Sequence, residues 1–367
     1  MHLEKIGLNN FKNYTELELE FSNKINCFVG VNGSGKTNLL DAIHYLSLAK
    51  SAFNSVDTQN INHERDFFAV RGSFAIDKKT NKVQCSLQKR QKKIIKLDDN
   101  PYEKISEHIG KFPVVLTHPN DTDLIREGSE TRRRFFDSTI SQINRKYLEY
   151  LIRYNHALKQ RNSQLKHFSE KNYFDADLLA PYDKLLETLG KYIHQERNLF
   201  TQNFIPFFEK LYKRLSDKKE TTSINYSSDL SADNYTVLFS NSLKKDLILN
   251  RTNVGIHKDD FDFKIEGYPI KKFGSQGQQK SFILALRLAQ FEQMSAEKGY
   301  KPLLLLDDVF DKLDDNRIGK LMKILSSESF GQIFITDARP ERTKTIFKKL
   351  KNEMSIFYIK KGKVSLD

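Results

Sequence analysis

Cysteine is nearly absent: in 367 residues only Cys27 and Cys85 occur. Cys27 falls inside an apolar run that reads as a strand, so a disulfide framework is not expected and a reducing cytoplasm is. Long apolar runs are missing as well. The longest aliphatic stretch is Leu303–Leu306, far short of the roughly 20 residues that a membrane-spanning helix needs. The opening Met-His-Leu-Glu-Lys has no apolar leader segment, so membrane insertion is not expected. No internal repeat or low-complexity tract stands out, and neither zinc-finger spacing nor a recognition-helix pattern is found, so base-specific reading of a nucleic acid is not indicated. Acidic side chains are in deficit: 47 Asp and Glu against 60 Lys and Arg leave a net charge of +13. That balance favours a polyanionic partner, although charge alone does not separate DNA, RNA and a membrane surface.

The chain is long enough for two domains, or for one large domain with an insertion. Its most informative stretch is Gly30-Val31-Asn32-Gly33-Ser34-Gly35-Lys36-Thr37, a full match to G-x-x-x-x-G-K-[ST]. Ile25–Val29 before it reads as a buried strand, and Leu39, Ala42, Ile43 and Leu46 after it fall at helical spacing. Strand, glycine loop and helix together predict a cradle for the phosphates of a nucleoside triphosphate. Glycines let backbone N–H groups approach phosphate with no Cβ in the way. The helix starting near Lys36 adds unpaired N–H groups and the positive end of its dipole. Lys36 is expected to reach the β- and γ-phosphates, and the Thr37 hydroxyl to ligate Mg²⁺.

A second phosphate-site element lies far away in the chain. Leu303–Leu306 followed by Asp307-Asp308 has the Walker B form, in which a buried parallel strand delivers acids at its C-terminal end. Asp307 is expected to hold Mg²⁺ and Asp308 to polarise the attacking water. Alone, the segment also fits a strand followed by an Asp cap. Between the two halves, Phe273-Gly-Ser275-Gln-Gly277-Gln278-Gln279-Lys280 opens a helix with Phe282, Ala285, Leu286 and Ala289 on one face. Ser275 and the backbone donors near Gly277 and Gln278 suit an anion; a capped surface helix is the alternative. Order and spacing are similar to the signature segment of ABC-type ATPases. Asp311-Lys-Leu-Asp314 stands at the D-loop position of those proteins. After the strand at Ile333–Ile335, where they commonly carry a γ-phosphate His, this chain has Thr336-Asp337, and Thr336 is a candidate substitute.

The middle of the chain has a different rhythm. Ile140, Asn144, Tyr147, Leu151, Tyr154, Leu158, Arg161, Leu165 and Phe168 alternate steps of four and three. After the polar break 169–177, a second stripe runs through Tyr182, Leu186, Leu189, Ile193 and Phe200. It starts near Pro181, and Pro206 is expected to kink or end it. An antiparallel helical arm about 40–45 Å long is predicted, with helices packed as an ordinary lid as the alternative. The expected architecture is α/β: an ABC/SMC-type P-loop ATPase head built from residues 1–137 and 233–367, with an α-helical arm domain, 138–232, inserted.

Nearly end to end, the chain resembles the RecF family of SMC-like ABC ATPases. The resemblance is carried by Asn10-Phe11-Lys12-Asn13-Tyr14, by Gly30–Asn38 with the Leu-Leu-Asp-Ala-Ile after it, and by Arg132-Arg133-Arg134-Phe-Phe-Asp137. It is also carried by Gly255-Ile-His257-Lys258-Asp259-Asp260 and by Ser275-Gln-Gly-Gln-Gln-Lys280. It implies a cytoplasmic, nucleoid-associated protein whose ATP-dependent homodimer binds duplex DNA at gaps and single-strand junctions. There it would act with RecR and RecO to help load RecA, using slow, DNA-stimulated ATP hydrolysis as a switch. The signature segment of one subunit would complete the nucleotide site of the other. Asn38 belongs to the matched P-loop, and Asn120, where the family tends to have Glu and transporters carry a Gln to metal and water, is a candidate metal-site residue. Phosphate or partner contacts, or an interdomain salt-bridge cluster, are the readings for Arg132, Arg133 and Arg134.

Departures from the family pattern are specific. Lys50-Ser51-Ala52-Phe53 replaces Lys-Ser-His-Arg, and Lys12, Lys258 and Lys280 replace Arg, keeping charge while losing the bidentate fork. Basic clusters at Lys89, Arg90, Lys92, Lys93 and Lys96, on an expected hairpin, and at Lys344, Lys348, Lys349, Lys351, Lys360, Lys361 and Lys363 suit phosphates, or a plain solvated surface. Three other readings compete. A transporter ATPase subunit is disfavoured by the missing His, the arm and the basic charge. An ATPase-linked nuclease of the overcoming-lysogenization type needs a further carboxylate-rich domain, for which no room is expected after Walker B. A structural SMC-like clamp differs mainly in arm length.

Overall fold

The computed structural model describes residues 1–77, 79–216, 220–231, 235–326, 329–347 and 354–366. Its short, wholly apolar runs become parallel strands. Ile25–Val29, Val114–Thr117, Leu303–Leu306 and Ile333–Asp337 bury every residue, as strands covered on both faces must. They join one six-stranded sheet in the order Lys363–Leu366, Met354–Lys360, Ile25–Val29, Ile333–Asp337, Leu303–Leu306, Val114–Thr117. Pairing is parallel except at the edge hairpin Met354–Lys360 with Lys363–Leu366. A single strand therefore separates the glycine-loop strand from the acidic strand, and both finish at the same edge of the sheet.

An antiparallel six-stranded sheet, in the order Tyr14–Glu20, His2–Phe11, Phe67–Ile76, Lys79–Gln88, Ile94–Leu97, Asn100–Pro101, covers the other side of the core. Helix Lys36–Leu48 lies between the two sheets. Besides the expected Leu39, Ala42, Ile43 and Leu46, it buries Leu40 and Tyr45, in one cluster with Leu3, Ile6, Phe68, Leu305 and Phe334. A helix enclosed on all sides needs apolar residues all round. The buried Gln332 amide ties the ends of the chain together. It accepts from Leu3 N–H at 2.7 Å and donates to the Leu3 and Ser22 carbonyls at 2.8 Å. One compact unit thus comprises Met1–Thr122, Lys210–Lys218 and Gln276–Asp367.

The second unit, Asp123–Glu209 and Lys219–Ser275, is mostly helical. Helices Arg145–Lys171 and Ala180–Leu215 run antiparallel, since Asn144 meets Glu196, Tyr150 meets Tyr192 and Arg161 meets Asp183. The first helix, 27 residues long, spans about 40 Å. Two expectations change in detail. The apolar stripe beginning at Ile140 crosses a break: Ser129–Ile143 ends, and the Asn144 side chain accepts from Tyr147 N–H as the cap of the next helix. Pro206 does not end the second helix, which continues to Leu215.

The pair is also not a bare arm. Helix Tyr235–Leu249 packs on it, and strands Thr222–Ser227, Asp260–Ile265 and Tyr268–Pro269 form a small antiparallel sheet in the same unit. The described part of 123–137 and of 233–275, expected with the head, belongs here. The cause is a buried arginine. Arg197 holds both oxygens of Asp137 at 2.9 Å, Asp259 at 2.9 Å and the Ile256 carbonyl at 2.6 Å. A second such arginine, Arg161, holds Asp183, Asp246 and Thr252.

Removing one partner of a buried ion pair leaves the other charge without compensation. Arg197→Ala is expected to destabilise the chain by about 3–5 kcal/mol, read as a lower urea midpoint. A midpoint matching the parent would show that the network does not hold this unit together.

Candidate nucleotide-binding site

The loop after Ile25–Val29 is shaped by its glycines. Gly35 has φ 118°, and a Cβ there would lie 2.5 Å from Asn13 Nδ2 and 2.8 Å from the Tyr14 hydroxyl. At Gly30 a Cβ would fall 2.2 Å from the Ile359 carbonyl oxygen. Neither position admits a side chain. Lys36 is buried and curls over the loop, donating to the Gly30 carbonyl at 2.8 Å and the Val31 carbonyl at 3.2 Å. Its ammonium is therefore already held where the loop backbone would meet phosphate. Val31, by contrast, is exposed.

Two turns that the motif alone does not reveal grip this loop. From the hairpin at Phe11–Tyr14, the Tyr14 hydroxyl donates to the Gly35 carbonyl at 3.0 Å, and Asn13 Nδ2 to the Ser34 carbonyl at 3.4 Å. Asn38 donates to Asn13 Oδ1 at 2.7 Å, so its side chain braces the loop. From the other side Gly362 N–H donates to the Ser34 carbonyl. Lys12 pairs with buried Asp41 at 2.6 Å, and Asp41 also accepts from Ser51 and from Ala52 N–H. The Asn-Phe-Lys-Asn-Tyr segment and the altered Lys-Ser-Ala-Phe segment are thus both structural supports of the P-loop helix.

The acidic strand reaches the loop directly. Thr37 Oγ1 donates to both oxygens of Asp307, at 3.0 and 3.1 Å. Burial pushes the Asp307 carboxyl above the usual range, and it does the same to Asp308. Asp308 adopts a left-handed backbone, φ 45° and ψ 34°, and its Oδ1 is buried with no hydrogen-bond partner. An orphaned carboxylate oxygen beside a hydroxyl–carboxylate pair suits Mg²⁺ and a polarised water. Among the described residues no group of three or more His, Cys, Asp or Glu gathers to hold a metal alone. Mg²⁺ is ordinarily held by one or two protein oxygens together with substrate phosphates and water, which is what Thr37 and Asp307 could supply.

The other expected residues are placed differently. Asn120 is exposed in the turn Pro119–Thr122. A cavity of about 60 Å³ beside Asp307 and Asp308 is lined by His118, Pro119, Asp121 and Lys280, but not by Asn120. Asp121 is itself taken up by Arg287. Asp337, at the place of the missing His, is buried and bound to Arg342 and Thr343. Thr336 is fully buried against Asp307. Ser275 is exposed at the end of the second unit; Gln276 opens the helix Gln276–Lys298, and Gly277 lies against the Arg317 guanidinium.

Within the second unit the arginine segment and the His-Lys-Asp-Asp segment meet each other. Arg132 grips both oxygens of Asp260 at 2.8 Å, and Arg133 donates to the Asp259 carbonyl at 2.6 Å. Arg134 makes an exposed pair with Glu130. His257, its pKa lowered to about 4 by burial, bonds Tyr154 and the Thr252 carbonyl. Arg134 apart, these residues hold the unit together. In the hairpin basic cluster Lys93 is likewise taken up, by Asp57, while Lys89 makes an exposed pair with Asp66. Lys360, Lys361 and Lys363 are exposed next to the Gly362 turn. Lys348, Lys349, Lys351 and the Lys344 side chain lie outside the described residues.

Residues 2–364 match the family model described as the RecF/RecN/SMC N terminal domain. The chain is 47% identical over 357 residues to the DNA replication and repair protein RecF of Flavobacterium johnsoniae, covering 97% of this chain and 99% of that one. It is 48% identical over 364 residues to RecF of Cytophaga hutchinsonii, covering 99% and 96%. A solved structure of the recombination mediator protein RecF-ATP in the RecFOR pathway superposes with a TM-score of 0.89 at 32% identity, covering 100% of this chain and 97% of that one. An Smc head domain of Pyrococcus furiosus shares the fold at a TM-score of 0.58 and 17% identity, covering 100% of this chain and 96% of that one.

Two substitutions separate binding from hydrolysis. Lys36→Ala is expected to weaken ATP binding by at least about 100-fold, since it removes a buried charge from the phosphate cradle. Asp308→Asn is expected to keep ATP affinity while hydrolysis falls by about 100-fold or more. Equilibrium binding of a fluorescent ATP analogue, beside phosphate release, checks both. An Asp308→Asn protein that turns over normally would remove Asp308 from the chemistry.

Proposed function

The chain belongs to the RecF family, within the RecF/RecN/SMC group of ATPase heads, and on that premise we propose that it is an ATP-dependent DNA-binding protein of recombinational repair and replication restart. Its ATP-driven homodimer closes on duplex DNA at gaps or junctions. With RecO and RecR it promotes RecA loading, and slow, DNA-stimulated hydrolysis opens the dimer again. The observation that carries this reading is the Thr37–Asp307 hydrogen bond, which joins both halves of the nucleotide motif in one head.

Each residue has a role in this scheme. Gly30, Val31, Asn32, Gly33, Ser34 and Gly35 present backbone N–H groups to the phosphates, and Lys36 neutralises them. Thr37 and Asp307 hold Mg²⁺, and Asp308 orients the attacking water. When bound, Mg²⁺ supplies charge to offset that of the phosphoryl oxygens. Asn38 acts through Asn13 and braces the loop. Exposed Ser275, with Gly277 and Gln278, closes the partner's site from the opposite side. A site completed in trans makes nucleotide binding and dimerisation one event. The net charge of +13 supports affinity for DNA that weakens with salt and ignores base sequence.

Fluorescence anisotropy with gapped and blunt duplexes, with and without ATP and Mg²⁺, tests the reading across a salt series. Expected are tighter binding to gapped DNA only when ATP is present, and a loss of at least about tenfold on moving from low to moderate salt. Equal, ATP-independent affinity for both duplexes would overturn it. Ser275→Arg is expected to abolish ATP-driven dimerisation in light scattering while each subunit still binds ATP. Normal dimerisation by that variant would remove the signature role.

A further inference from the structure

Thr336 was a candidate to replace the γ-phosphate His, and the geometry gives it other work. Its hydroxyl is fully buried and is both donor and acceptor. It donates to Asp307 Oδ1 at 2.8 Å and accepts from the Asp308 backbone N–H at 2.8 Å. One side chain therefore touches both acids of the Walker B pair. Asp307 Oδ1 is also the atom that accepts from Thr37 at 3.0 Å, so two threonine hydroxyls share one carboxylate oxygen.

Asp308 needs an anchor because of its backbone. A left-handed conformation, φ 45° and ψ 34°, is unfavourable for a residue with a Cβ unless its surroundings hold it. The bond from its N–H to Thr336 supplies such a hold. It fixes the turn at Asp308 that ends the acidic strand. The sheet makes this possible: Ile333–Asp337 pairs in parallel with Leu303–Leu306, Leu306 opposite Ile335, so Thr336 stands one position on, beside the acids.

Resting on the ATPase reading above, we infer that Thr336 is the positioning residue of the Walker B pair, orienting Asp307 for Mg²⁺ and locking the Asp308 turn. It is not a γ-phosphate contact. The hydroxyl is the working group, so the role is lost in an isosteric valine and kept in serine.

The test uses the full chain as parent, Thr336→Val, Thr336→Ser and Thr336→Cys. A fluorescent ATP analogue is titrated without Mg²⁺ and across a Mg²⁺ series, and phosphate release is measured in parallel. In the valine variant, nucleotide affinity without Mg²⁺ is expected within about twofold of the parent, while half-saturating Mg²⁺ rises about tenfold or more. Its kcat is expected to fall by about 100-fold, with KM for the Mg²⁺ complex changing less. Serine restores Mg²⁺ dependence and kcat to near the parent values, and cysteine, a weak donor, falls between.

A valine variant with unchanged Mg²⁺ dependence and turnover overturns the inference, as does a serine variant as impaired as valine. Loss of affinity even without Mg²⁺ would instead place Thr336 at the phosphates and also overturn it. Should the valine variant fail to fold, serine against cysteine decides, and equal values for the two defeat the idea. A parent chain that binds no ATP defeats the ATPase reading instead.

Discussion

A hydrogen bond between two residues 270 positions apart, Thr37 and Asp307, is the contact on which the head depends. It exists because two short, wholly buried strands end at the same sheet edge with one parallel strand between them. Each strand is too brief and too apolar to specify register by alternating polarity. The register comes from being enclosed on both faces, with Gln332 tying the first strand to the last third of the chain. The glycine loop then needs only a helix behind it. Helix Lys36–Leu48 is locked between two sheets, so the backbone N–H groups at its start sit on a rigid base.

Around that contact the site is built from supports more than from reactive groups. Asn13, Tyr14 and Gly362 hold the loop from two sides, Asp41 gathers Lys12 and Ser51 beneath the helix, and Thr336 ties the two acids. Such preorganisation matters for phosphate chemistry, where positioning and charge carry most of the effect. The second unit follows the same economy. Arg132 and Arg133 carry a phosphate reading in the sequence, yet their guanidinium groups are spent on Asp260 and the Asp259 carbonyl, just as Arg161 is spent on Asp183 and Asp246 and Arg197 on Asp137. A buried arginine satisfied by carboxylates and carbonyls is a cross-link between segments.

Charge gives the same lesson on the surface. A net +13 is visible at once, but Lys93 is largely covered against Asp57, whereas Lys89, in a surface pair with Asp66, and Lys360, Lys361 and Lys363, beside the turn that contacts the P-loop, are exposed. Composition counts lysines without saying which of them meet solvent.

Residue order by itself was enough for the strand, glycine loop and helix at 25–48, the acidic strand, the α/β class and the antiparallel helix pair. Each rests on local chemistry: glycines free of Cβ, apolar runs of strand length, stripes at helical spacing. Segment boundaries at 123–137 and 235–275 were not legible, because an ion pair across 60 residues, Asp137 with Arg197, leaves no periodic trace. Nor were the exposure of Asn120 or the partner of Asn38, since a side chain's surroundings come from other segments. Thr336 is the sharpest case. Its position after a strand was plain in the sequence, but only the sheet, by setting Ile335 opposite Leu306, turned its hydroxyl into the link between Asp307 and Asp308.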